Sequence, residues 1–183
     1  MNRATKEQNT EFRQKGYVVV RDAVPGEIIQ SVSEAVNKIV DRAVAGEFTD
    51  PPFKWLDEAA RIPYWMNDLL TPRKYYPAFG EFLDTIISPF IESLLGAPVR
   101  CSWFSMLTCG SGIPYTTPVH RDNSKLGSED ELETLENFDM QQCYIQAPIL
   151  ANDHFLQMIP GSNSRAATPE EIGAQEAGWE GES

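Results

Sequence analysis

Histidine is the scarcest reactive side chain in this sequence. His120 and His154 are the only two among 183 residues, so any site that needs an imidazole has one of these two to use. Cysteine is nearly as rare. Cys101, Cys109 and Cys143 make an odd number, and no two stand in a C-x-x-C spacing. That argues against a disulfide framework and fits reduced, mostly buried thiols in a cytoplasmic protein. Long apolar runs are missing: no stretch of 18 apolar residues occurs, so no membrane span is expected. The opening Met1–Gln8 is polar with no apolar run behind it, which argues against a signal peptide. Basic residues are also few, 15 against 27 acidic ones, for a net charge of −12. Such a surface repels phosphate backbones, so neither a nucleic acid nor an anionic membrane is an expected partner.

What is present suits one domain over residues 1–183, long enough for a sizeable core, with 42% hydrophobic residues. Residues 1–97 read as mostly helical. Thr5 to Gln14 has helical character and is broken by Gly16, after which Tyr17-Val18-Val19-Val20 reads as a strand. Pro25 opens a helix from about Gly26 to Ala45, with Ile28, Ile29, Val32, Ala35, Val36, Ile39 and Val40 as its apolar stripe. Residues 51–77 are rich in proline and aromatics and read as irregular, with a short helix near Trp65 to Leu70. Trp55, Tyr64 and Trp65 there are core residues or part of a substrate lid. A helix from about Phe79 to Leu95 follows, and Gly96 stops it.

From residue 98 the texture becomes β-like. Val99 to Cys109, Gln141 to Ile149 and Phe155 to Ile159 read as strands, the last running into Pro160-Gly161-Ser162. On the first of these, Trp103, Ser105 and Leu107 alternate with Phe104, Met106 and Thr108, and either set can face inward. The acidic stretch Ser128 to Phe138 reads as a solvated loop or short helix, and Pro169 to Ala177 as a last short helix. Helices followed by short antiparallel strands indicate an α+β fold, a jelly-roll or barrel-like β core with a helical layer outside.

The segment that carries chemistry is Thr117-Pro118-Val119-His120-Arg121-Asp122-Asn123. On an extended chain His120 and Asp122, two residues apart, project to the same side, and Arg121 points away. One imidazole and one carboxylate that can meet a single metal are two-thirds of the facial triad of iron(II) oxygenases. H-x-D alone occurs often by chance, but its context is informative. Phe155-Leu156-Gln157-Met158-Ile159-Pro160-Gly161-Ser162 follows it, and Phe12 to Val24, with Gly16-Tyr17, precedes it.

In that order, over nearly the whole chain, these segments resemble the phytanoyl-CoA dioxygenase family. The resemblance implies a double-stranded β-helix, cupin-like, and an Fe(II)- and 2-oxoglutarate-dependent dioxygenase that uses O2 to hydroxylate a small organic substrate. It makes His120 and Asp122 the first two iron ligands, and an aspartate at the second position favours hydroxylation over halogenation. On the strand Gln142-Cys143-Tyr144-Ile145-Gln146 the polar residues Gln142, Tyr144 and Gln146 share one face. They are candidate contacts to 2-oxoglutarate, or else face solvent on an edge strand.

The sequence departs from the family beyond the Pro-Gly-Ser turn. The family's distal histidine and the arginine that pairs with 2-oxoglutarate have no counterpart: no histidine follows Asn163, and Arg165 comes too early. The expectation is therefore a fragment of a longer frame, its β core incomplete at the C-terminus and inactive as written. The alternative is a non-catalytic jelly-roll ligand-binding or relic module. His154 sits at an expected turn and is not the expected third ligand. Asn163 replaces the histidine of the family's turn, which does not bind metal.

Overall fold

In the computed structural model, residues 3–47, 53–107, 118–121, 124–136, 145 and 156–177 are described. They fall into two compact units, one of residues 1–3 and 21–115, the other of residues 4–20 and 116–183.

The first unit is built on helix α2, Gly26–Val44. Its apolar residues recur every three or four positions, so one stripe is buried: Ile28, Val32, Ala35, Ile39 and Ala43. Ile29, Val36 and Val40 flank the stripe and are half-buried. Burying a side chain such as Ile39 contributes about 2 kcal/mol. The last carbonyls of α2 lack helical partners, and Arg61 meets two of them, donating to that of Val44 at 2.6 Å and to that of Ala43 at 3.4 Å.

Residues 53–66 form a β-hairpin in place of the expected irregular segment, strands β1 (Phe53–Asp57) and β2 (Ile62–Met66). Aromatic residues on both strands favour the pleated conformation. Asp57 accepts from the Ala60 amide at 2.9 Å, and Arg61 takes a left-handed φ of +52°, which closes the turn. Pro63 has no N–H for the ladder, and the register shifts on either side of its partner Trp55. The expected helix from Trp65 to Leu70 is not formed: Trp65 and Met66 belong to β2, and Leu69 and Leu70 lie in a turn.

The helix expected from Phe79 to Leu95 is present but divided. Helix α3 spans Pro77–Phe82, a π-helical turn Leu83–Ile87, and helix α4 Ser88–Leu95. Pro89 supplies the reason. It has no amide for the Thr85 carbonyl, its ring crowds that carbonyl, and a widened turn relieves both. Phe79, Phe82, Ile86, Ile91 and Leu94 are buried across the division. Of the strand expected from Val99 to Cys109, only Met106–Leu107 (β3) is a strand among the described residues, pairing antiparallel with Trp65 and Met66. The sheet order is β1-β2-β3. Cys101 lies outside β3 and is exposed, a correction to the expected buried thiol.

In the second unit helix α1, Lys6–Lys15, begins at a capping box. The Thr5 hydroxyl accepts from the Gln8 amide, and the Gln8 side chain from the Thr5 amide. It ends at Gly16 in the left-handed region, φ +83°. Tyr17–Val20 forms no strand, nor do residues 156–159, because neither finds a ladder partner among the described residues. Helices α5 (Glu131–Glu136) and α6 (Pro169–Ala177) are the unit's other α-helices among the described residues. Among the described residues no helix is long and apolar enough to cross a membrane.

Candidate metal centre

His120 stands in a short non-helical stretch, Pro118–Arg121, that bends at Val119. Its side chain is on the exposed side, and its Nδ1 lies 2.7 Å from the Pro118 carbonyl. A carbonyl oxygen only accepts, so Nδ1 carries the proton and donates it. In metal-binding histidines one ring nitrogen commonly donates to a carbonyl in this way.

Arg121 goes elsewhere. It is half-buried, donating from Nη2 to the Arg165 carbonyl at 2.8 Å, with Nη1 3.4 Å from Glu131 Oε1. The second distance is that of an ion pair without hydrogen-bond alignment, and neither atom has another hydrogen-bond partner. His120 is exposed and Arg121 is not, in a stretch that is not a strand, so the inward-facing pair expected on a β layer is not seen for His120. Asp122, the other expected iron ligand, lies outside the described residues. So do Gln142, Tyr144 and Gln146, the expected contacts to 2-oxoglutarate, and His154. Among the described residues no three His, Cys, Asp or Glu side chains gather as a metal site.

The cluster that receives Arg121 was not expected. Glu131, in the stretch read as solvated, has a side chain only 3% exposed. Its Oε2 accepts from the Gly127 amide at 3.2 Å and the Ala167 amide at 3.1 Å. Beside it, Arg165 grips Glu171 with two hydrogen bonds, 2.9 Å and 2.5 Å. Glu171 and Thr168 form the capping box of α6, with Thr168 N to Glu171 Oε2 at 2.8 Å and Glu171 N to Thr168 Oγ1 at 3.3 Å. Hydrogen bonding from Arg165 holds the Glu171 carboxyl below the usual glutamate value, against the opposing effect of burial. Thr168-Pro169-Glu170-Glu171 carries the capping-box signature, so this feature was readable in the sequence. The role of Glu131 was not, since charge composition does not reveal a partner 10 residues away at Arg121.

Two sequence segments that framed the resemblance also meet. The Gly161 amide of the Pro-Gly-Ser turn donates to the Lys15 carbonyl at 2.7 Å, at the end of α1. The Asn163 side chain lies against Gly16, where a Cβ would run into it.

No protein-family model, no curated protein and no solved structure matches the chain.

Proposed function

We propose that His120 and Asp122 are two ligands of an iron(II) site of the 2-oxoglutarate-dependent dioxygenase type, in a double-stranded β-helix, acting on a small organic substrate. The observation that supports the reading most is the Nδ1 bond of His120 to the Pro118 carbonyl, the kind of main-chain bond that orients metal-binding histidines. Arg121 supports it by leaving the metal side: its guanidinium is committed to Glu131 and the Arg165 carbonyl, so it does not compete with a divalent cation for Asp122. Bound Fe(II) with 2-oxoglutarate and O2 supplies oxidative decarboxylation to succinate, coupled to hydroxylation of an unactivated C–H bond. The part of Gln142, Tyr144 and Gln146 in this proposal is to orient 2-oxoglutarate by hydrogen bonds from one face of their strand. The third protein ligand has to come from His154 or from outside these 183 residues, since no other histidine is present.

The test is anaerobic equilibrium dialysis against Fe(II), with the wild-type chain beside His120→Ala, Asp122→Ala and Arg121→Lys. With two protein ligands the proposal expects weak binding that both ligand variants lose and the Arg121 variant keeps. Equal retention by all four would overturn it and favour a module that binds ligands without metal.

A further inference from the structure

Arg121 reaches from the residue beside His120 to the segment that precedes α6. Its side chain is only 12% exposed. Nη2 donates to the Arg165 carbonyl, and Nη1 faces Glu131, whose other carboxylate oxygen accepts from the Ala167 amide. Both contacts therefore end on residues 165–167. Those residues are in turn fastened to α6. The Arg165 guanidinium bonds both carboxylate oxygens of Glu171, and Glu171 also accepts from the Thr168 amide. An unbroken run of polar contacts thus joins the His120 segment to the first turn of α6, all of it within the second unit.

Little apolar burial adds to that hold. Helix α6 has nine residues, a length at which an isolated helix is marginal in water. Among its described side chains Ala174 is the one buried apolar group. Ile172 lies over Gly127 but stays 37% exposed. Helix α2, by contrast, buries five apolar side chains. The polar run is itself incompletely bonded. Arg121 Nη1 and Glu131 Oε1 are buried, 3.4 Å apart, and neither makes a hydrogen bond. A partly satisfied buried network is costly to keep closed, and elements with few buried apolar contacts are the ones that open locally.

We propose that helix α6 is a latch on the His120 segment. Docked, it holds Arg121 in place through Arg165 and Glu131; lifted, it takes the Arg165 carbonyl and the Ala167 amide with it and frees residues 118–121. Coupling of this kind is reciprocal, so losing Arg121 also loosens α6. The latch consists of protein groups alone and does not depend on a bound metal, so it stands apart from the iron reading. Gly161, which bonds to the Lys15 carbonyl at the end of α1, lies in the same unit but outside the polar run, and opening of the latch leaves that bond intact.

The experiment follows amide hydrogen exchange by NMR at Ala167, Ile172 and Gly161 in the 183-residue chain, and tryptic cleavage after Arg121, which its burial now hinders. Ala174→Glu puts a charge on the buried side of α6, away from the polar run. It should quicken exchange at Ala167 and Ile172 at least about tenfold, speed cleavage after Arg121 with them, and leave Gly161 unchanged. Arg121→Met works from the other end and should quicken exchange at Ile172, again without Gly161. Faster exchange at Ile172 in Ala174→Glu with cleavage after Arg121 at the wild-type rate overturns the proposal. So does an unaltered Ile172 in Arg121→Met, or Gly161 quickening equally, which would mean that the whole unit opens. If neither variant folds, the wild-type chain in low urea decides: exchange at Ala167 and Ile172 and cleavage after Arg121 should share one urea dependence, distinct from that of Gly161. Separate dependences for Ile172 and Arg121 overturn the latch.

Discussion

Gly16 is where a single missing carbon matters most. It ends α1 at φ +83°, and a Cβ there would also collide with the Asn163 side chain. Gly96 ends α4 in the same backbone region, φ +73°, with open space around it. The two positions separate backbone strain from steric conflict. Gly96→Ala should cost about 1 kcal/mol of stability, the left-handed penalty alone, whereas Gly16→Ala should cost about 2–3 kcal/mol. Urea denaturation of each variant measures the difference, and Asn163→Ala should recover part of the Gly16→Ala loss but none of the Gly96→Ala loss. Glu131 makes the same point for charge. Its carboxylate holds two main-chain amides and faces Arg121, so Glu131→Ala leaves a largely buried guanidinium without its counter-ion. A loss of about 3 kcal/mol is expected from the same denaturation measurement, against less than about 0.5 kcal/mol for its exposed neighbour Glu133 changed to Ala.

Helices with a regular apolar stripe were legible from the sequence, and those without ladder partners or with proline were less so. Lys6–Lys15, Gly26–Val44 and Pro169–Ala177 follow from caps, breakers and periodicity that lie within a few residues of each element. The hairpin of β1 and β2 was hidden because Pro52, Pro63 and Pro72 suggested irregular chain, while the bulge that accommodates Pro63 depends on its partner strand. The π turn before Pro89 was hidden because the apolar spacing continues through it. At the candidate site, the H-x-D motif singled out His120 and Asp122, but the destination of Arg121 depended on Glu131 and Arg165, which no local pattern joins to it. Helix α6 gives a pH prediction at this scale. Glu171 has a folded pKa below its ordinary 4.5, chiefly through Arg165. A depressed carboxylate pKa means the bond stabilises the folded form fully above the unfolded value and loses that contribution as pH falls from about 4.5 through the folded value. Melts followed by circular dichroism between pH 6 and 3 should show a decline that is smaller in Glu171→Gln. An identical decline in both proteins would remove Glu171 from the acid sensitivity.

For the molecule as a whole, the metal reading makes the most demanding prediction. Chemistry at iron(II) needs the ion held on enough protein ligands to survive O2, with 2-oxoglutarate chelated and its far carboxylate fixed by a cation. These 183 residues offer His120 and Asp122, no histidine after His154, and two arginines near the site that are already engaged. Arg121 is held by Glu131 and Arg165, and Arg165 is held doubly by Glu171. Releasing Arg165 to bind 2-oxoglutarate would leave the buried Glu171 carboxyl without the partner that lowers its pKa. Two ligands, with both of these arginines engaged, should therefore retain Fe(II) only weakly, and succinate release from 2-oxoglutarate by this chain alone should stay at the level of free iron. A longer polypeptide that adds a histidine and an arginine after the Pro-Gly-Ser turn should release succinate in an iron-dependent manner. In that polypeptide His120→Ala and Asp122→Ala should abolish release, while Glu171→Gln should lower stability and leave the iron dependence intact. Comparing succinate yields of the two polypeptides with and without Fe(II) checks each step. Robust iron-dependent release by the 183-residue chain would instead point to His154 as the third ligand, and His154→Ala should then abolish that release.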